Sequence, residues 1–292
     1  MYSFDANSGE YLEGLAIDKA GNVYVGLAFL GQVWRFAPDG TPSLFATLDI
    51  GQSGAGAIIG LAVDAEGDLY VCDVSDVAET HGIWKVSRDG TPTLFAALPP
   101  QTNPFNGITG FGFPNGLAFD EEGNLYVTDS YLAAIWKITK NGKATLWLQD
   151  PLLNLLNGFG ANGVEFDRGS MFISNTDLGL IARVEMPEDG KPPRAELFVQ
   201  DPTLIGADGI AFDEMHNLYV AVDRQNTLIR ISPEGTLTTL ATASDGLDYP
   251  ASVSFDQRRG TRRILYFTNA GLIFTTPSLQ RVDVGIRGEP LP

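Results

Sequence analysis

One cysteine, Cys72, and two histidines, His81 and His216, are all the thiol and imidazole ligands that the 292-residue chain offers a metal. A single thiol forms no intrachain disulfide and no thiolate cluster, and two imidazoles argue against a His-rich zinc site or a multi-His proton relay. Positive charge is also scarce, with 19 Lys and Arg against 36 Asp and Glu and a formal net charge of −17. Such a surface repels a phosphate backbone, which argues against nucleic acid as a partner and favours cations. No apolar run reaches the ~18 residues of a membrane span. The opening MYSFDANSGE lacks signal-peptide character, so the compartment stays open between the cytoplasm and export after loss of a leader. No stretch of useful length shows a 3.6-residue apolar period, which disfavours helices. Plentiful instead are Gly, at 33, and hydrophobic residues, at 44%, the profile of a globular chain with many tight turns.

One phrase recurs. GLAID, GLAVD, GLAFD, GVEFD, GIAFD and SVSFD end at Asp18, Asp64, Asp120, Asp167, Asp213 and Asp256, with intervals of 46, 56, 47, 46 and 43 residues. Each is followed by a turn and a short apolar strand, such as VYV at 23–25 or LYV at 69–71. A third strand alternates apolar and cationic residues, as in VWRF at 33–36 and IWKV at 83–86. A turn then follows, PDG at 38–40, RDG at 88–90, KNG at 140–142, EDG at 188–190 or PEG at 233–235, and a fourth strand such as SLFATL closes the unit. Period-two alternation marks strands with one buried face. Six units of four short strands predict an all-β, six-bladed β-propeller in which residues 1–292 form one domain. A solenoid fits less well, because it needs capping repeats. The sixth unit lacks a fourth strand, and Tyr2-Ser3-Phe4-Asp5 stands where an outer strand belongs, so the N-terminus is expected to close the sixth blade.

This topology places the long, varied loops at one end of the channel, face T, and the short turns after each repeat Asp at the other, face B. Variable loops on a rigid scaffold make face T the functional candidate. Five residues before each repeat Asp stand Glu13, Ile59, Asn115, Asn162, Asp208 and Ala251. Four carry oxygen, and all share one phase at the channel mouth. Glu13, Asn115, Asn162 and Asp208 together offer hard oxygen ligands with a charge of −2, which suits Ca²⁺ or Mg²⁺. The competing explanation, that Asn-Gly and Asp-Gly are turn dipeptides, accounts for neither Glu13 nor the shared register.

The series YLEGLAID, FPNGLAFD, GANGVEFD and GADGIAFD resembles the SMP-30/gluconolactonase family, related in architecture to diisopropyl fluorophosphatase and the paraoxonases. The resemblance spans essentially the whole chain. It implies a six-bladed propeller with Ca²⁺, or another divalent cation such as Mg²⁺, Mn²⁺ or Zn²⁺, in the channel. It also implies Glu13, Asn115, Asn162 and Asp208 as ligands, with Asp208 in the catalytic role. Gluconolactonase-type members place Arg two residues before the second-position Asn, where this chain has Phe113. The paraoxonase His pair is absent, and Gly14 and Gly116 stand where those enzymes carry acidic residues for a structural calcium. The resemblance implies metal-assisted hydrolysis of a small molecule, here a fairly apolar lactone or ester, with the ion polarising C=O or P=O and Asp208 attacking directly or deprotonating water.

Around the ring, Phe113 and Tyr131 are candidate pocket walls. Asp73, Asp129, Asn175 and Asp223, at second-strand ends on face T, either hold ligands and substrate or cap their strands. His81 lies in a face T loop as a proton shuttle or a bystander. His216 replaces a turn glycine on face B and reads as structural, Cys72 as core, and the Trp residues at 34, 84 and 136 as inter-blade packing. The alternatives are a non-catalytic propeller stabilised by its ion and serving as a binding module, a phosphotriesterase-like enzyme, or a condensing enzyme on the same scaffold.

Overall fold

The computed structural model describes residues 2–51, 56–187 and 191–291, so the turn expected at 188–190 lies outside the described residues. Six four-stranded antiparallel sheets form the molecule, and in five of them the strands pair in chain order. The inner strands are Leu12–Ile17, Ala57–Val63, Pro114–Phe119, Ala161–Asp167, Ala207–Phe212 and Pro250–Phe255. Each touches the inner strand on either side, and the sixth touches the first, so the ring closes. Among the described residues there is no α-helix; short 3₁₀ turns join some strands.

Closure follows the expected route. The outer strand of the sixth blade is Tyr2–Ser3, paired antiparallel with Ser278–Asp283 so that Tyr2 lies opposite Leu279. Phe4 then packs edge-on against Trp34 and Phe36 of the first blade, locking the two ends of the ring together.

The recurring phrase has a local cause. Asp18 accepts the backbone N–H of Asn22 at 2.8 Å, its side-chain amide at 2.7 Å and the Tyr24 hydroxyl at 3.2 Å. Asp213 repeats the pattern with Asn217 and Tyr219. One carboxylate thus satisfies the turn and the buried phenol of the returning strand. The aromatic of that strand then meets, edge to face, a Phe on the next blade's inner strand: Tyr70 with Phe119, Tyr126 with Phe166, Phe172 with Phe212 and Tyr219 with Phe255, at 5.0–5.4 Å. Each such pair contributes about 0.5–1.5 kcal/mol beyond burial. Trp136 is buried, while Trp34 and Trp84 are partly so, and all three pack in clusters that join adjacent blades. Cys72 is fully buried core.

Every inner strand carries a bulge at its face T end. Pairing with the second strand breaks between Leu12 and Leu15, Ile58 and Leu61, Pro114 and Leu117, Ala161 and Val164, Ala207 and Ile210, and Pro250 and Val253. The candidate ligands occupy these bulges, which re-aim a side chain out of the pleat. The following glycine is not a turn residue: Gly14, Gly60, Gly116, Gly163 and Gly209 all lack positive φ. A Cβ on Gly60 would lie 1.9 Å from the Asn115 carbonyl oxygen, and one on Gly116 2.5 Å from that of Asn162. Glycine is there because neighbouring backbones meet at the axis.

Gly116→Ala is therefore expected to destabilise the fold by about 1–3 kcal/mol. Gly260, whose added Cβ would meet nothing within 4 Å, should tolerate Ala within about 0.5 kcal/mol. Equal denaturation midpoints for the two variants would contradict the close-approach account.

Candidate metal centre and active site

The bulges bring Glu13, Asn115, Asn162 and Asp208 to the wall of one axial cavity of about 120 Å³. Ile59 and Ala251 fill the remaining two positions. Asn115, Asn162 and Asp208 are buried, and Glu13 keeps partial access to the channel.

Hydroxyl groups fix the orientation of both carboxamides. Ser130 donates its only hydroxyl hydrogen to the Ala161 carbonyl at 2.6 Å, so its oxygen accepts from Asn115 Nδ2 at 3.2 Å. Thr176 donates to the Ala207 carbonyl at 2.9 Å and accepts from Asn162 Nδ2 at 3.0 Å. With both nitrogens held from behind, each amide is left with its Oδ1 to present as a ligand atom. A second set of hydroxyls holds the ligands' backbone. Thr268 donates to the Glu13 carbonyl at 2.8 Å, Ser174 to that of Asp208 at 2.6 Å, and Thr128 to that of Asn162. Each belongs to the preceding blade, so every strap crosses a blade boundary.

The electrostatics point the same way. Burial pushes the Glu13 carboxyl up to about 8, with the Asp223 charge adding to it. Asp208 is held well above the usual carboxylate range by burial first, then by the charges of Glu13 and Asp223, with the Asn162 amide offsetting part. Asp223 rises to about 6 through burial, opposed by Arg224 and the Tyr249 hydroxyl. The nearest guanidinium, Arg224, is engaged by Asp177 at 2.9 Å. The Glu13 and Asp208 carboxyls with two amide oxygens, and the Asp223 charge close by, form a donor set that fits a hard divalent ion.

The remaining expected residues divide by environment. Asp129 accepts the N–H groups of Phe113, Tyr131 and Leu132 and the Trp136 indole, so it ties the end of its strand to the loop bearing Phe113. Asn175 likewise donates to the Leu152 and Asn154 carbonyls and accepts from Leu178. Asp73 differs: it is fully buried, neither oxygen has a hydrogen-bond partner, and burial followed by the Asp49 charge raises it to about 8. His81 is buried against Phe111, with Nδ1 2.8 Å from the Ser75 carbonyl and Nε2 without a hydrogen-bond partner, and burial lowers its pKa. Phe113, Tyr131 and Phe159 form an aromatic cluster with centroids 4.9–5.8 Å apart. Phe29, Phe105, Leu156, Ile273 and Phe274 are exposed in the loops of the same face.

The sequence reading missed the hydroxyl layer and the loop anchors. Their signal lies in the second-strand ends Thr128-Asp129-Ser130, Ser174-Asn175-Thr176 and Thr268-Asn269-Ala270, where the acidic or amide residue drew notice and its neighbours did not. The anchors are Asp177, which accepts the N–H groups of Leu156, Asn157 and Gly158, and Asp248, which accepts those of Ile273, Phe274 and Thr276.

No protein-family model matches the chain. No curated protein sequence matches it either. Solved structures do share its fold. A gluconolactonase from Xanthomonas campestris is 15% identical, with 96% of this chain and 87% of that one covered at a TM-score of 0.67. Regucalcin from Agrobacterium tumefaciens, described as a calcium-binding protein, is 14% identical, with 97% and 93% covered at 0.68. Virginiamycin B lyase from Staphylococcus aureus is 16% identical, with 99% and 88% covered at 0.64. The fold is thus similar to that of structures described as a gluconolactonase, a calcium-binding regucalcin and a virginiamycin B lyase alike.

Two substitutions test the ring. Glu13→Gln removes one like charge, so in chelator it should stabilise the protein by on the order of 1 kcal/mol, while calorimetry should show weaker Ca²⁺ binding. Ser130→Ala releases the Asn115 amide and should weaken Ca²⁺ binding by about 10–100-fold with the fold intact. Unchanged affinity in both would remove these residues from the site.

Proposed function

We propose that the chain is a divalent-cation-dependent hydrolase of lactones or esters, acting on a fairly apolar substrate admitted at face T. The observation that carries the reading is the orientation of two carboxamides, held by Ser130 and Thr176, into the cavity that also receives Glu13 and Asp208. The resemblance to propellers described as gluconolactonase and as calcium-binding supports it.

Glu13, Asn115, Asn162 and Asp208 would hold the cation, most simply Ca²⁺ given an all-oxygen donor set. When bound, such an ion polarises a carbonyl and stabilises the oxyanion that develops on it. Asp208 supplies the reactive carboxylate, as nucleophile toward the carbonyl carbon or as base toward a water. Asp223, beside Tyr249 and Arg224, holds negative charge next to Asp208 and disfavours its ionised form, an effect that a bound cation would offset. The Phe113, Tyr131 and Phe159 cluster and the exposed apolar loop residues give the mouth a surface suited to a hydrocarbon-bearing acyl or ring group rather than a polyol.

The test is turnover of a panel of lactones, aryl esters and phosphotriesters by chelator-stripped protein, before and after Ca²⁺ is restored. Ester or lactone hydrolysis that vanishes with chelator and returns with Ca²⁺ is expected. Asp208→Asn should lower it by on the order of 10²–10⁴-fold without unfolding the protein. Loss of thermal stability alone, with no turnover of any substrate, would make the ion structural and the propeller a binding module.

A further inference from the structure

A second group of metal-ligating side chains lies on face B, at the opposite end of the channel from the ring. Asp167 ends the inner strand of the fourth blade and is buried. His216 comes from the turn after the inner strand of the fifth blade. Glu289 comes from the segment after the last strand, which runs along the fifth and sixth blades: Glu214 donates to the Arg287 carbonyl, Gly288 to that of Arg262, and Glu289 to that of Phe212. His216 Nδ1 stands 2.7 Å from Asp167 Oδ1 and 3.5 Å from Glu289 Oε1. One nitrogen and one oxygen from each carboxylate all lie within 4.8 Å of one another.

A His216–Asp167 ion pair alone leaves Glu289 out of the arrangement. A proton on His216 Nδ1 serves one acceptor well, and Asp167 takes it. The Glu289 carboxyl also faces Asp167, and two carboxylates so placed need either a proton or a cation between them. A cation in place of that proton serves all three atoms at once. The second Asp167 oxygen is held by Arg168 Nε at 3.1 Å, which fixes the carboxylate as an outer partner fixes a metal ligand. His216 also occupies a position that the turn itself would give to glycine. Gly21, Gly67 and Gly123 stand there in other blades at φ of 86°, 89° and 77°, and His216 adopts φ 62°. The imidazole therefore sits at a backbone cost that the turn does not require. The side chains of His216 and Glu289 remain about one-third exposed, which leaves a side open for water.

We propose that Asp167, His216 and Glu289 form a second metal centre, selective for a Zn²⁺-class first-row dication, that staples the C-terminal segment across face B. An imidazole with two carboxylates and an open position suits such an ion, whereas Ca²⁺ prefers oxygen alone. The segment so held carries Leu291 into the lining of the axial cavity, with its N–H donated to Gln257 at 3.0 Å. The staple thereby fixes the segment that brings Leu291 to the cavity wall.

The test uses the whole chain, stripped with chelator and titrated with Zn²⁺ by calorimetry in excess Ca²⁺, with the thermal midpoint followed in parallel. The wild type is expected to bind a Zn²⁺ equivalent that persists in Asp208→Asn and raises the midpoint. His216→Gly, which restores the residue of the sister turns, should fold normally and lose both that equivalent and the upward shift. Glu289→Gln should bind Zn²⁺ at least about tenfold more weakly. Co²⁺ should give a visible d–d absorption in the wild type that disappears in His216→Gly. Zn²⁺ binding and midpoint shifts that are the same in wild type, His216→Gly and Glu289→Gln would overturn the proposal. So would a wild-type protein whose Zn²⁺ binding is lost entirely in Asp208→Asn.

Discussion

The structure depends on how closely six inner strands approach at one axis. At the height of the ring, the backbone of one blade lies so near the next that a Cβ on Gly14 would sit 2.2 Å from the Ile59 carbonyl oxygen. Tight convergence favours glycine, present in every blade but the sixth, which has Ser252, and the bulge at the same place turns the preceding side chain toward the centre. A single steric condition thus sets the fold's closest packing and aims the ligands. Blade two keeps the glycine, Gly60, but puts Ile59 before it, so packing and ligation are separable demands on adjacent residues.

Convergence also concentrates charge. In a chain with a net charge of −17, Glu13, Asp208 and Asp223 are brought together in an enclosed space, and each is raised by burial. Such a cluster opposes folding until a cation joins it, so it is sustained by contacts elsewhere. The inter-blade hydroxyl straps from Thr128, Ser174 and Thr268 supply part of that support where it is needed, on the carbonyls of the ligand residues themselves. They act on backbone carbonyls and occupy no acidic oxygen.

The repeat, the four-strand unit, the closing N-terminal strand and the ring positions were legible in the sequence because each rests on local periodicity or shared phase. The glycine after each ligand was visible, but its cause was not. Turn geometry and close approach ask for the same residue, and only the absence of positive φ at Gly116 and Gly163 separates them. The hydroxyl layer escaped because Ser130 and Thr176 act on residues of their own and adjacent blades, a relation that no short spacing encodes. The path of residues 284–291 was invisible for a similar reason: it is fixed by isolated hydrogen bonds to Phe212, Arg262 and Gln257. His216 read as structural because sequence alone pairs it with no partner. Asp167 stands 49 positions away and Glu289 lies on the closing segment.

The two faces of the ring follow different physical rules, and this decides where specificity resides. On face B the turns after Asp18, Asp64, Asp120, Asp213 and Asp256 are short and give backbone N–H groups to their own Asp, so little in them can vary without disturbing a blade. On face T the loops at 154–160 and 270–277 each depend on one carboxylate, Asp177 or Asp248, that gathers three backbone N–H groups. A loop held at one buried point can change its exposed residues freely while keeping its position. Leu156, Ile273 and Phe274 are such residues, exposed beside anchors that are themselves buried. Under the proposed function, the ring and its straps would constrain the chemistry and the loop tips would select the substrate.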